Sequence, residues 1–106
     1  NQVISGGVNG VLSAYTPDGT HLGDVKVQPH IDQCNTGSKG ELIVCAGRGV
    51  VTVLQARSGA APRLLGRLET GHRGIHTVGI DERTNDIWVV YADPRGDWVQ
   101  RLKWMP

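Results

Sequence analysis

The sequence predicts an all-β fold built from repeated, antiparallel, four-stranded units. Two local features and one global feature lead there. Glycine is abundant, with 15 residues in 106, and turn signals recur about every 8–12 residues, as in all-β proteins. The stretches between them are short and rich in β-branched residues, and apolar positions at i, i+3, i+4 and i+7 are not sustained anywhere. Finally, the pattern returns with a period of 39 to 46 residues, the length of a unit carrying about four strands.

Taken in order, about ten strands are expected. The first unit holds Val3–Gly6, Val11–Tyr15 and Leu22–Val27 and lacks an innermost strand. Between its second and third strands lies Pro17-Asp18-Gly19-Thr20. There proline presets φ, the Asp carboxylate can bond nearby amides and glycine accepts positive φ. The second unit is complete: His30–Asn35, Leu42–Ala46, Val50–Gln55 and Leu64–Glu69. The third holds His76–Asp81, Ile87–Tyr91 and Trp98–Trp104 and lacks an outermost strand. Most of these strands read as apolar on both sides, as expected where each unit is sandwiched between two others.

The repeat is visible by eye. HIDQCNTGSKGELIVCA from His30 lies over HTVGIDERTNDIWVVYA from His76 without a gap, a shift of 46. Gly10–Tyr15 falls on Gly49–Leu54, a shift of 39, and Leu22–Val25 falls on Leu65–Leu68, a shift of 43. Such units are the blades of a β-propeller, and the chain reads as one domain, 1–106, with blade segments of roughly 1–28, 29–70 and 71–106.

His76–Asp81 followed by Trp88-Val89-Val90-Tyr91 resembles the YVTN-type repeat of bacterial seven-bladed propellers: an inner strand, D-x-x-T-N/G, then I-W/Y-V. Leu42–Gln55, with Cys-Ala-Gly-Arg-Gly between its strands, is similar to the next two strands of that repeat. The resemblance implies a fold and specifies function poorly. The chain departs from the family in length, since a closed ring needs several more blades.

Two and a half to three blades leave two blade faces that read as apolar, and apolar surface of that size marks interaction. The expectation is therefore completion by a homo-oligomer, a dimer forming a six-bladed ring, or by remaining blades elsewhere; a compact monomeric sandwich is the alternative. The chain opens with Asn1-Gln2-Val3, neither an initiator Met nor a signal sequence, so a processed, trimmed or excised chain is expected. The compartment stays open between periplasmic or secreted and cytoplasmic.

Composition excludes several classes. Hydrophobic residues at 39% suit a globular core, and no apolar run approaches the ~20 residues of a membrane helix, so a soluble chain without a membrane partner is expected. The net charge is +1. The local basic segment, Arg57, Arg63, Arg67 and Arg73 against Glu69, is too sparse for a nucleic-acid footprint. Gly47 and Gly49 lie between two strands with no helix to follow, so no phosphate loop is read. No cofactor is expected.

The candidate catalytic residues are His30, Asp32 and His76. Both histidines open an innermost strand, alternation places His30, Asp32 and Cys34 on one side, and imidazole serves both as metal ligand and as acid–base group. The competing reading is a repeated histidine bonding the next blade. His72 and His76 form H-x-x-x-H, but Gly71 and Gly74 suggest a loop, so no metal site is assigned. His21 is read as a solvated turn residue. Asp81-Glu82-Arg83-Thr84-Asn85 is read as an Asx-type turn rather than a carboxylate pair. Trp98 and Trp104 are candidate ligand-binding residues for a sugar, whereas Trp88 reads as core.

Cys34 and Cys45 stand symmetrically about a turn centred near Lys39-Gly40 and could pair directly across two strands. Their counterparts in the third unit are Ile80 and Tyr91, which favours two free buried thiols, with a disulfide possible. The functional expectation is a non-enzymatic binding or interaction module that assembles with further blades, its ligand unknown. The alternatives are a propeller hydrolase or lyase acting through inner-strand histidines, and a carbohydrate-binding lectin.

Overall fold

A computed structural model describes residues 2–28, 30–75 and 77–105. Among them are ten strands, all paired antiparallel, and no helix. The first sheet contains β1 (Val3–Gly6), β2 (Val11–Tyr15) and β3 (His21–Lys26), in that order. The middle sheet contains β4 (Gln33–Thr36), β5 (Leu42–Gly47), β6 (Val50–Gln55) and β7 (Arg63–Glu69). The third contains β8 (Thr77–Asp81), β9 (Asp86–Asp93) and β10 (Gly96–Lys103). Each sheet is a meander in which hairpins join neighbouring strands.

The middle sheet is covered on both faces. Alternation sends Val44 and Ala46 of β5 and Val51 and Val53 of β6 to one side, where they pack with Ile75, Val78, Ile87 and Val89 of the third unit. Ile43, Cys45 and Leu54 point to the other side and pack with Leu12, Val27 and Ile31. Only β5 and β6 are buried nearly throughout. The expectation that most strands are apolar on both sides therefore holds for the middle of the stack alone; β7 and β10 are largely exposed, with no described sheet over their second faces.

The repeat extends to irregularities. The β2–β3 ladder shifts register between Ala14 and Tyr15, and the β6–β7 ladder shifts between Val53 and Leu54. These positions are equivalent by the 39-residue shift, and Gly23 and Gly66 stand opposite Ala14 and Val53. Gly10 and Gly49, also equivalent, both have φ of 83°, a conformation open to glycine without cost. Each gives its carbonyl to the N–H that follows the unit's last strand, Val27 at 2.7 Å and Thr70 at 2.8 Å. Two units thus share both their pattern and their turn chemistry.

Three observed strands differ in bounds from the expected ones in a way that matters. β4 starts at Gln33 rather than at His30. Proline at 29 has no N–H for a ladder, His30 takes φ of 59°, and its N–H donates to the Val8 carbonyl at 2.9 Å, away from the middle sheet. β3 starts one residue early, so His21 lies in a strand rather than in a turn. β9 runs on to Asp93, and Trp88 within it is 45% exposed: it is a surface residue, not core.

Cys34 stands opposite Cys45 in the β4–β5 ladder, with the Cα atoms 4.0 Å apart and the sulfurs joined in a disulfide. The free-thiol reading is thereby replaced by a cross-strand bridge. The connection into the middle sheet is pinned by buried Gln28, whose amide donates to the Val50 carbonyl at 3.2 Å and whose carbonyl oxygen accepts the Thr52 hydroxyl.

Candidate functional site

Of the candidate catalytic residues His30, Asp32 and His76, the structure describes the first two. His30 and Asp32 lie in the connection before β4, so strand alternation does not group them with Cys34. The Asp32 N–H is tied to the Ala46 carbonyl at 2.9 Å. His76 lies outside the described residues. Among the described residues no group of three or more His, Cys, Asp or Glu side chains could hold a metal ion. His72 stacks on Tyr91, ring centroids 4.2 Å apart at 14°, which places it on the flank of β9.

Trp98 and Trp104 are not brought together. Trp98 stands opposite Tyr91 near the Asp93–Gly96 turn, and its indole bonds the Asp93 carboxylate and helps hold that group below the usual carboxylate range. Trp104 lies beyond the far end of β10, roughly 20 Å along the strand. It packs against Gly66 of β7 and lines an apolar cleft of about 260 Å³ with Leu68, Leu102 and Met105. No common stacking platform results.

Asp81 opens an Asx turn, as the spacing suggested: the Arg83 N–H donates to its carboxylate at 3.0 Å. The Arg83 guanidinium closes on both oxygens, at 3.1 and 2.8 Å. This hydrogen bonding, above all from the Arg83 side chain, lowers the Asp81 pKa to about 2. A lowered folded-state value contributes stability above the unfolded pKa, and that contribution is lost as pH falls from about 4 towards 2. Arg83→Ala should raise the Asp81 midpoint towards its ordinary value in a carboxyl NMR titration. A midpoint still at about 2 would assign the shift to the turn amides instead.

On the outer face of the first sheet, Asp24 accepts from the Ser13 hydroxyl at 2.6 Å and contacts His21 Nε2 at 2.7 Å through the same oxygen. The Ser13 bond first, and then His21, lowers the Asp24 pKa. Here the carboxylate stands between hydroxyl and imidazole. A serine nucleophile needs its hydroxyl on the imidazole, so this cluster is a polar surface, not a catalytic relay.

The outer face of the third sheet has the opposite character. The β9 residues Trp88, Val90 and Ala92 point away from the middle sheet, and their ladder partners on β10 are Arg101, Val99 and Asp97. Val90 is 43% and Val99 68% exposed. At the turn end of the β9–β10 hairpin lies an open hollow of about 540 Å³ lined by residues of both faces, Val90, Ala92, Asp97 and Val99 of the outer one and Tyr91 and Trp98 of the inner one, with Gly74. Sequence reasoning expected open apolar blade faces but did not place Trp88 on one, because Trp88-Val89-Val90 reads as a core strand whether or not a sheet lies beyond it.

No family model matches the chain, and no curated protein is significantly similar to it. The likeness to the YVTN-type repeat thus rests on its motifs alone. No described helix is long and apolar enough to cross a membrane.

Proposed function

We propose that the chain is a non-enzymatic interaction module of propeller-type sheets whose working surface is the outer face of the third sheet. One observation carries the reading. By the 46-residue repeat, Trp88 and Val90 correspond to Leu42 and Val44, and Val99 opposite Val90 corresponds to Val53 opposite Val44. Val44 and Val53 are buried beneath a further sheet, with Leu42 packed at their edge, while their counterparts are exposed. The same face, met a second time, thus has apolar side chains without the sheet that covers them. Apolar surface of this kind is a docking surface. The hydrolase reading has less support, because His30 and Asp32 share no strand face. The lectin reading has less support, because Trp98 and Trp104 sit at opposite ends of β10. The disulfide favours an oxidising compartment, where such bridges persist.

Light scattering on the native chain and on a Val90→Asp/Val99→Asp double variant tests the proposal. The native chain should associate, and the variant, still folded by circular dichroism, should run at the monomer mass. A native chain that remains monomeric, or a variant that associates equally well, would remove it.

A further inference from the structure

We propose that the partner of this surface is a second copy of the chain, with the two third sheets packed face to face about a two-fold axis. This rests on the reading above and adds the occupant and its orientation. The argument begins with the rows across the sheet. Thr77, Val90 and Val99 form one row in the ladders. On one side of it lies the row Gly79, Trp88 and Arg101, and on the other lie Ala92 and Asp97. A two-fold axis running along the central row exchanges the flanking rows. It sets Val90 and Val99 over their own counterparts, Trp88 over the partner's Ala92, and Arg101 over the partner's Asp97.

Each exchange is complementary. The largest side chain on the face, Trp88, meets one of the smallest, Ala92. Each guanidinium meets a carboxylate, twice per dimer. An isologous contact requires such self-complementarity of one patch, and face-to-face sheets pack about 10 Å apart with strands nearly aligned. Trp and Arg, both present on this face, are also among the residue types enriched at binding hot spots.

Ring closure, with the third sheet of one copy against the first sheet of the next, fits less well. Across the centre of the first sheet's outer face runs the row Ser5, Ser13 and Asp24. Seating Val90 and Val99 there would strip water from the Asp24 carboxylate and its Ser13 and His21 partners and set apolar side chains against them, and taking a charge out of water is costly even when it is paired.

Single added cysteines decide between the two, because both native cysteines are bonded. Val99→Cys treated with a short bis-maleimide should yield a covalent dimer by itself, and Ser13→Cys should not. Asp97→Arg and Arg101→Asp should each weaken association by about tenfold or more through like-charge contacts, and the double swap should restore it. If Val99→Cys cross-links only when mixed with Ser13→Cys, or the double swap stays dissociated while the native chain associates, the face-to-face geometry falls and the interaction reading stands. A native chain that is monomeric by light scattering fails the reading itself.

Discussion

Reducing the Cys34–Cys45 bridge should cost the fold about 3 kcal/mol, the loop-closure value for a short disulfide loop. The two cysteines lie eleven residues apart, so the cross-link removes the many unfolded conformations in which β4 and β5 are separated. Cys45 is fully buried in the cluster between the first and middle sheets, and Cys34 packs against it. The bridge therefore also locks the register in which Gln33 and Asn35 reach the third sheet. Asn35 donates to the Val78 carbonyl at 2.8 Å and Gln33 accepts the Val78 N–H at 3.1 Å. For a domain of about this size the melting temperature should fall by on the order of 10 °C or more. Thermal melts with and without a thiol reductant, with free thiols counted, measure this, and a Cys34→Ala/Cys45→Ala variant should melt with the reduced form. Full thiol release with an unchanged melting temperature would mean that the ladder holds its register unaided.

How much was legible in the sequence follows from what each signal senses. Strand existence and hairpin connectivity were readable because turns such as Pro17–Thr20 and Asp81–Asn85 act through their own residues. The opposition of Cys34 and Cys45 was readable from their symmetry about one turn. Their bonding was not, because treating Ile80 and Tyr91 as counterparts senses packing and says nothing of sulfur chemistry. The strand bound at His30 came from extending the repeat too far, into a segment where His30 takes a positive φ. Trp88 failed for a different reason. A strand with apolar residues on both sides has one pattern whether its second neighbour is in the same chain, in another copy, or missing, and no local property of Trp88-Val89-Val90 distinguishes these cases.

Glu82 is the residue whose role no local signal announced, and Glu82→Ala should destabilise the fold by about 3 kcal/mol. It sits in the β8–β9 turn, where an acidic residue ordinarily faces water, yet it is only 7% exposed. Its Oε1 accepts the backbone N–H groups of Glu41 and Leu42 at 3.2 and 3.1 Å. The turn of the third sheet thereby clamps the β4–β5 turn of the middle sheet. A side chain at Gly37 would come within 2.1 Å of that oxygen, so the glycine provides the space for the carboxylate. Truncation to alanine leaves two part-buried amide donors without their acceptor. Hydrogen bonds to a charged acceptor are worth about 1.5–3 kcal/mol each, with losses at one site less than additive. Glu82→Gln keeps an oxygen at the same place and should lose markedly less. Amide hydrogen exchange separates this from a general loosening: in Glu82→Ala the Glu41 and Leu42 amides should exchange faster than their β5 neighbours. Exchange at those two amides equal to that in the native chain would show that the clamp is not what holds the two turns together.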